Sequence, residues 1–260
     1  MGYYQIMRKC KGFLPQAVTY DGARVSFVIY YFGVRVPLAS FLVLFTAAAA
    51  GAQWRAEEPP PGQLVVAKLK YGGGGDWYAN PTSLPNLHRA LRERAGLPAA
   101  RIKDDVVVDA ATDALFDYPI LFMTGHGNVR FSGGEVARLR RYLERGGFLH
   151  VDDNYGLDDS WRRECARLFP DSPLLELPPD HEIYHIYYDF PAGLPKIHEH
   201  HGGPARGYAV FHQGRMVIFY SYNTDLGDGW EDADVHDDPP DKREAALKMG
   251  VNIVVYALTH

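Results

Sequence analysis

Cysteine is nearly absent from this 260-residue chain, which has only Cys10 and Cys165. So sparse a supply excludes a disulfide framework and a zinc site built from thiolates. Basic charge is short as well, with 27 Lys and Arg against 32 Asp and Glu. Binding nucleic acid by neutralising phosphates needs a basic face, and the absence of one argues against that partner. Long apolar runs are confined to Val36 to Ala52, which Arg35 cuts off from the apolar residues before it. That run sits at the short limit for a membrane span. What is present is ample apolar residue, 47% of the chain, enough for one full-sized core in a single main domain.

The apolar run reads as a signal. Leu38 to Ala50 (LASFLVLFTAAAA) is uncharged and ends in the small triplet Ala50-Gly51-Ala52, the pattern of an h-region followed by a cleavage site. Residues 1–52 are therefore expected to be a leader, with export to the periplasm, or an inner-membrane anchor if the signal stays uncleaved. The 33 residues before Val34 fit no short basic n-region, so translation is expected to start near Val34 or Val36. Residues 53–62, with Pro59-Pro60-Pro61, read as a stiff linker to a domain over 63–260. Without residues 1–52 the chain holds 22 basic and 31 acidic groups, a formal charge of −9. The lone Cys165 neither supports nor opposes export.

From residue 63 onward strand and helix patterns alternate. Gln63 to Leu69, Asp105 to Asp109, Pro119 to Thr124 and Phe148 to Val151 are apolar, β-branched strands. Between and after them, Leu84 to Ala95, Gly134 to Arg145 and Asp159 to Phe169 carry apolar residues at helical spacing and end at Gly96, Gly146-Gly147 and Pro170. The alternation predicts a mostly parallel sheet covered on both faces, a three-layer α/β/α sandwich. The last third adds aromatic-rich, antiparallel strands at His181 to Tyr188, Gly207 to Phe211 and Arg215 to Tyr220. Lys242 to Leu258 closes it as a helix packing through Leu247, Gly250, Val251, Val254 and Leu258.

Four motifs recur along this pattern: VAKLKYGGGGDWYANP, FMTGHG, GGFLHVDDNYG and FYSYNTDLGDGW. Together they resemble the uncharacterised bacterial family called domain of unknown function 4159, over about residues 62–260. More distantly the layout is similar to the class I glutamine amidotransferase-like, flavodoxin-like fold. The resemblance implies a nucleophile elbow, Gly-x-Cys-x-Gly, after the strand that follows Gly146-Gly147. Here that stretch is His150-Val151-Asp152-Asp153-Asn154-Tyr155-Gly156, without cysteine. A carboxylate cannot replace a thiolate in glutamine hydrolysis, so amidotransferase activity is not expected despite the fold.

The site itself is expected at the carboxyl ends of the parallel strands, where such sheets gather ligands. At the turn after the fourth strand, Asp152 and Asp153 could bind a divalent metal with His126 or share a proton. Alternatively they could hold the turn through backbone N–H groups, with His126 capping its own loop. The glycines of Tyr71 to Trp77 lack both the G-x-G-x-x-G spacing and the Gly-Lys-Ser/Thr ending of phosphate loops. They read as a flexible turn letting Asp76, Trp77 and Tyr78 line the same edge. His181-Glu182-Ile183-Tyr184-His185 spells H-E-x-x-H, but its aromatic, proline-bounded setting favours a strand over a zinc helix. His198, Glu199, His200 and His201 read as solvated loop residues that would collect zinc only adventitiously. Asn223 to Asp238 reads as a solvated acidic loop or, less simply, a calcium-binding one.

Two functions remain open. One is an envelope-associated ligand-binding or assembly module, its partner a small polar ligand or an envelope protein, with a polar pocket drawn from Asp76, Trp77, His126, Asp152, Asp153, Asn154, Asn223 and Asp225. The other is a hydrolase or isomerase for a small, sugar-like substrate, with His126, Asp152 or Asp153 as acid or base and a divalent metal as the one cofactor the residues suggest.

Overall fold

The computed structural model describes residues 62–198 and 202–260, so the expected leader, the expected linker up to Pro61, and Glu199, His200 and His201 lie outside the described residues. Seven strands form one mixed sheet: β1 (Val66–Lys70), β2 (Val107–Asp109), β3 (Ile120–Met123), β4 (Phe148–Asp152), β5 (Leu175–Glu176), β6 (Arg206–His212) and β7 (Arg215–Tyr222). Their order is β2-β1-β3-β4-β7-β6-β5. The pairings from β2 across to β7 are parallel, whereas β6 and β5 extend the sheet antiparallel. Five α-helices accompany it: α1 (Ser83–Ala95), α2 (Gly133–Glu144), α3 (Asp158–Leu168), α4 (Leu226–Trp230) and α5 (Pro240–Thr259).

Strand alternation divides the core in two. Ala67, Leu69, Leu121, Met123, Leu149 and Val151 pack on one side with Leu139 and Leu143 of α2 and Trp161 and Cys165 of α3. Val66, Ile120, Phe122, Phe148 and Phe219 pack on the other with α1, α4 and α5. Leu84, Leu87 and Leu91 fall on one side of α1 and are fully buried, each stabilising the fold by roughly 1.5–3 kcal/mol. Gly96 ends that helix in the left-handed region at φ 63°. At the start of α2, Ser132 and Glu135 form a reciprocal capping box. Between β6 and β7, Gln213 and Gly214 both have positive φ, the two-residue turn whose twist suits a tight hairpin.

Three expectations need correction. His181 to Tyr188 is not a strand: Glu182–Tyr184 form a single 3-10 turn, and the outer antiparallel strand is Leu175–Glu176. Asn252 of α5 supplies the reason. Its side chain accepts from the Tyr188 N–H at 2.8 Å and donates to the carbonyls of Ile183 and Tyr188 at 3.1 and 2.8 Å. The segment's polar backbone is thereby satisfied by a helix side chain in place of a neighbouring strand. On α5, Leu258 is exposed and the buried residues are Ala246, Met249, Gly250, the run Val251 to Val254, and Tyr256, because α1 and α4 flank this helix as well as the sheet. Finally, Asn223 to Asp238 is a solvated loop only in its second half, since Asn223 to Glu231 is buried and contains the helix α4. Among the described residues no helix is long and apolar enough to cross a membrane.

Candidate functional site

Because β1, β3, β4 and β7 run parallel, the loops after them emerge at one edge. The helix after β1 covers one face and the helix after β3 covers the other, so those two loops part company and leave a crevice, the usual ligand position in open α/β sheets. Asp76 comes from the first loop and His126 from the second. The Asp76 carboxylate accepts the His126 backbone N–H through Oδ1, and its Oδ2 lies 3.0 Å from His126 Nδ1. One carboxylate thus fixes both the loop and the ring. The pair is reachable from solvent, with side-chain exposures of 33% for Asp76 and 47% for His126.

Glycine makes this approach possible. A Cβ on Gly125, whose φ is 133°, would lie 2.4 Å from Tyr71 Oη and 2.8 Å from the Asp76 carbonyl. A Cβ on Gly73 would lie 2.7 Å from both Arg130 N and Asn128 O, so the glycine run lets the two loops touch backbone to backbone. Trp77 is half-buried and edge-on to the exposed Tyr78. Exposed Tyr155 bridges to His126 from the β4 loop.

At the elbow position the three polar residues are buried and go different ways. Asp152 accepts from Ser221 Oγ at 2.6 Å and from the Gly227 N–H at 2.7 Å, so it fastens β4 to β7 and to α4. Burial holds its carboxyl well above the usual carboxylate range, against the lowering effect of those hydrogen bonds. Asp153 Oδ1 accepts the Leu157 N–H at 3.2 Å, bracing the turn into α3. Asn154 accepts from Thr124 Oγ1 at 2.7 Å and donates to Asn80 Oδ1 at 2.8 Å. Among the described residues, the carboxylates and imidazoles that converge closely enough for one ion do not include His126, Asp152 or Asp153.

The convergent group is Asp228, Glu231 and His236, whose ligand atoms all lie within 4.8 Å of one another. Asp225 and Asp228 are buried at the start of and within α4, and Glu231 caps its end. Burial raises the Asp225 carboxyl well above its ordinary value, and the neighbouring Asp228 and Asp152 add to this. Asn223, expected in the same pocket, is turned aside. It accepts from Lys196 at 3.2 Å and lines an open hollow of about 330 Å³ with Asp158, Arg162, Tyr208 and Tyr222.

The sequence pattern of one family, described as domain of unknown function (DUF4159), matches residues 65–258. The chain belongs to that family. The match spans every strand and helix described above except the last residue of α5, and it carries no assigned chemistry. No curated protein matches the chain. What sequence reasoning missed for this DUF4159 domain is the cluster around Asp228, because its histidines and acids belong to segments that read separately as solvated loops. The one local signal was the D-x-x-E-x-x-x-x-H spacing of Asp228, Glu231 and His236.

Proposed function

We propose that this chain is an exported, envelope-associated domain that binds a small polar, sugar-like ligand in the crevice between the β1 and β3 loops. The observation that carries the reading is the Asp76–His126 pair, an oriented and solvent-reachable imidazole at the point where strand order reverses. Exposed Tyr78 and Tyr155 beside it suit the apolar face of a sugar ring, and the imidazole and carboxylate suit its hydroxyls. In this reading the architecture is the three-layer, class I glutamine amidotransferase-like sandwich, with Asp152 and Asp153 at the elbow in place of the thiol. The parallel order β2-β1-β3-β4-β7 supports it. The leader pattern of residues 1–52 supports export to the periplasm, and N-terminal sequencing of the mature protein tests it: a first residue far from Gln53 overturns that part.

A second reading is favoured by one detail of the pair. A carboxylate holding Nδ1 orients the imidazole as a general base or acid through Nε2, the arrangement of a hydrolase or isomerase. Saturation-transfer NMR of the full chain with glucose, N-acetylglucosamine and trehalose tests the binding reading. Saturable binding that His126→Ala and Asp76→Asn both abolish supports it. Binding that neither change affects, or no binding of any of the three sugars, overturns it. Steady release of nitrophenol from nitrophenyl glycosides, lost in the same variants, replaces it with the catalytic reading.

A further inference from the structure

Away from the Asp76–His126 crevice, five residues from two stretches of sequence come together around the end of α4. His236 Nε2 lies 2.7 Å from Glu231 Oε2 and 3.3 Å from Asp228 Oδ1. His198 Nδ1 approaches the other Asp228 oxygen, Oδ2, at 3.9 Å, and Asp238 Oδ1 at 3.6 Å. Among the described residues the ion pairs of these three acids are with histidines. The acids are desolvated from the protein side and the two imidazoles close the group from the solvent side.

Two of these carboxylates are held from behind. Asn80 Nδ2 donates to Asp228 Oδ1, which also faces His236, while the Thr82 N–H and hydroxyl both donate to Glu231 Oε1 at 3.3 Å, which leaves Asp228 Oδ2 turned toward His198 and Glu231 Oε2 toward His236. Outer donors that fix one oxygen of a carboxylate and aim the other are the usual support of metal ligands. A second observation is independent of that geometry. The Asp238 side chain is only 7% exposed, and its Oδ2 receives no hydrogen bond from any described residue. Buried carboxylates are ordinarily paired, hydrogen-bonded or bound to a cation.

We propose that Asp228, Glu231 and His236, joined by His198 through Nδ1, form a binding site for a divalent transition-metal ion, with Asp238, whose Oδ1 faces the same nitrogen, beside them. Two imidazoles and two carboxylates suit Zn²⁺ or Mn²⁺, whereas Ca²⁺ prefers an all-oxygen shell. The ion ties the loop before β6 to the segment after β7, and it offsets the negative charge of Asp228 and Glu231.

The test is calorimetric titration of the full chain, stripped with chelator, with zinc chloride and manganese chloride in turn. One equivalent of at least one ion binds, and His236→Ala weakens that binding by about 100-fold or more, beyond the 10–100-fold typical of losing an outer-shell partner. His236 is at the surface, so its replacement leaves the fold intact; unchanged circular dichroism verifies this. Glu231→Gln gives a second reading on a different ligand. The double change His200→Ala with His201→Ala separates the site from adventitious capture by the neighbouring histidines and leaves binding unchanged. No binding of either ion, or binding that survives His236→Ala and disappears in the His200/His201 variant, overturns the proposal. The outcome is separable from that of the sugar experiment, because His126→Ala leaves metal binding unchanged.

Discussion

Replacing Lys68 by methionine tests how the fold carries charge through its centre. Lys68 is in β1 with no exposed surface, and its ammonium lies 2.5 Å from Asp105 Oδ2 while donating to the carbonyls of Ala79 and Asn80 at 2.6 and 3.1 Å. One side chain therefore fastens the approach to β2 and the loop that presents Asn80 to Asp228 and Asn154. Lys68→Met leaves Asp105 buried and uncompensated, a change worth about 3–5 kcal/mol in comparable pairs. For a domain of this size that lowers the melting temperature by about 6–20 °C. Burial already raises the Asp105 carboxyl to about 6 in spite of Lys68, and removing the ammonium raises it further. The sign follows: a folded-state value above the unfolded one penalises the ionised form, so the loss is largest near pH 8 and shrinks near pH 5, where Asp105 takes up a proton. Urea unfolding at both pH values measures it. A loss below about 1 kcal/mol near pH 8, or a larger loss near pH 5, refutes the reasoning.

Two further outcomes follow from the same structure. His88 accepts the Val66 N–H at 2.9 Å through Nε2, and burial lowers its pKa to about 4, so it resists protonation in the folded state and not in the unfolded one. Stability present above about pH 6.5 is lost at about 1.4 kcal/mol per pH unit on descending to about pH 4, and His88→Gln removes that slope; an unchanged slope in urea titrations across the range contradicts the assignment. Gly125→Ala puts a methyl against Tyr71 and Asp76 and pulls the Asp76–His126 pair apart. The His126 imidazole resonances then lose their carboxylate-bound position in NMR spectra, and spectra matching the parent would show that the two loops are not held by close backbone approach.

The parallel half of the sheet was legible because its signals are local. Leu84, Leu87 and Leu91 mark α1 by spacing, and the apolar runs of β1, β3 and β4 are buried on both faces. His181 to Tyr188 was misread because tyrosine and isoleucine favour strands, whereas the backbone partner that decides the matter, Asn252, lies about sixty residues later. α4 was invisible because LGDGW is five residues long and contains two glycines, too short for a helical period. Of the candidate site, the positions of Asp76 and His126 after β1 and β3 are local and readable, but the reversal of strand order that brings them into contact is a property of topology. His198 and Asp228 could not be joined from sequence, since β6 and β7 separate them along the chain and each segment alone has the composition of a solvated loop.

The position of β7 also governs how the domain can be made. β4 pairs with β3 on one side and with β7 on the other, yet residues 153–214 intervene before β7 begins. A nascent chain that has emerged as far as β5 therefore carries β4 as an open apolar edge, with Asp152 awaiting both Ser221 and the Gly227 N–H. Exposed strand edges recruit other chains. Truncations ending before Arg215 should therefore aggregate during synthesis, and those that include α5 should not, which makes the final third of the polypeptide the step that seals the sheet.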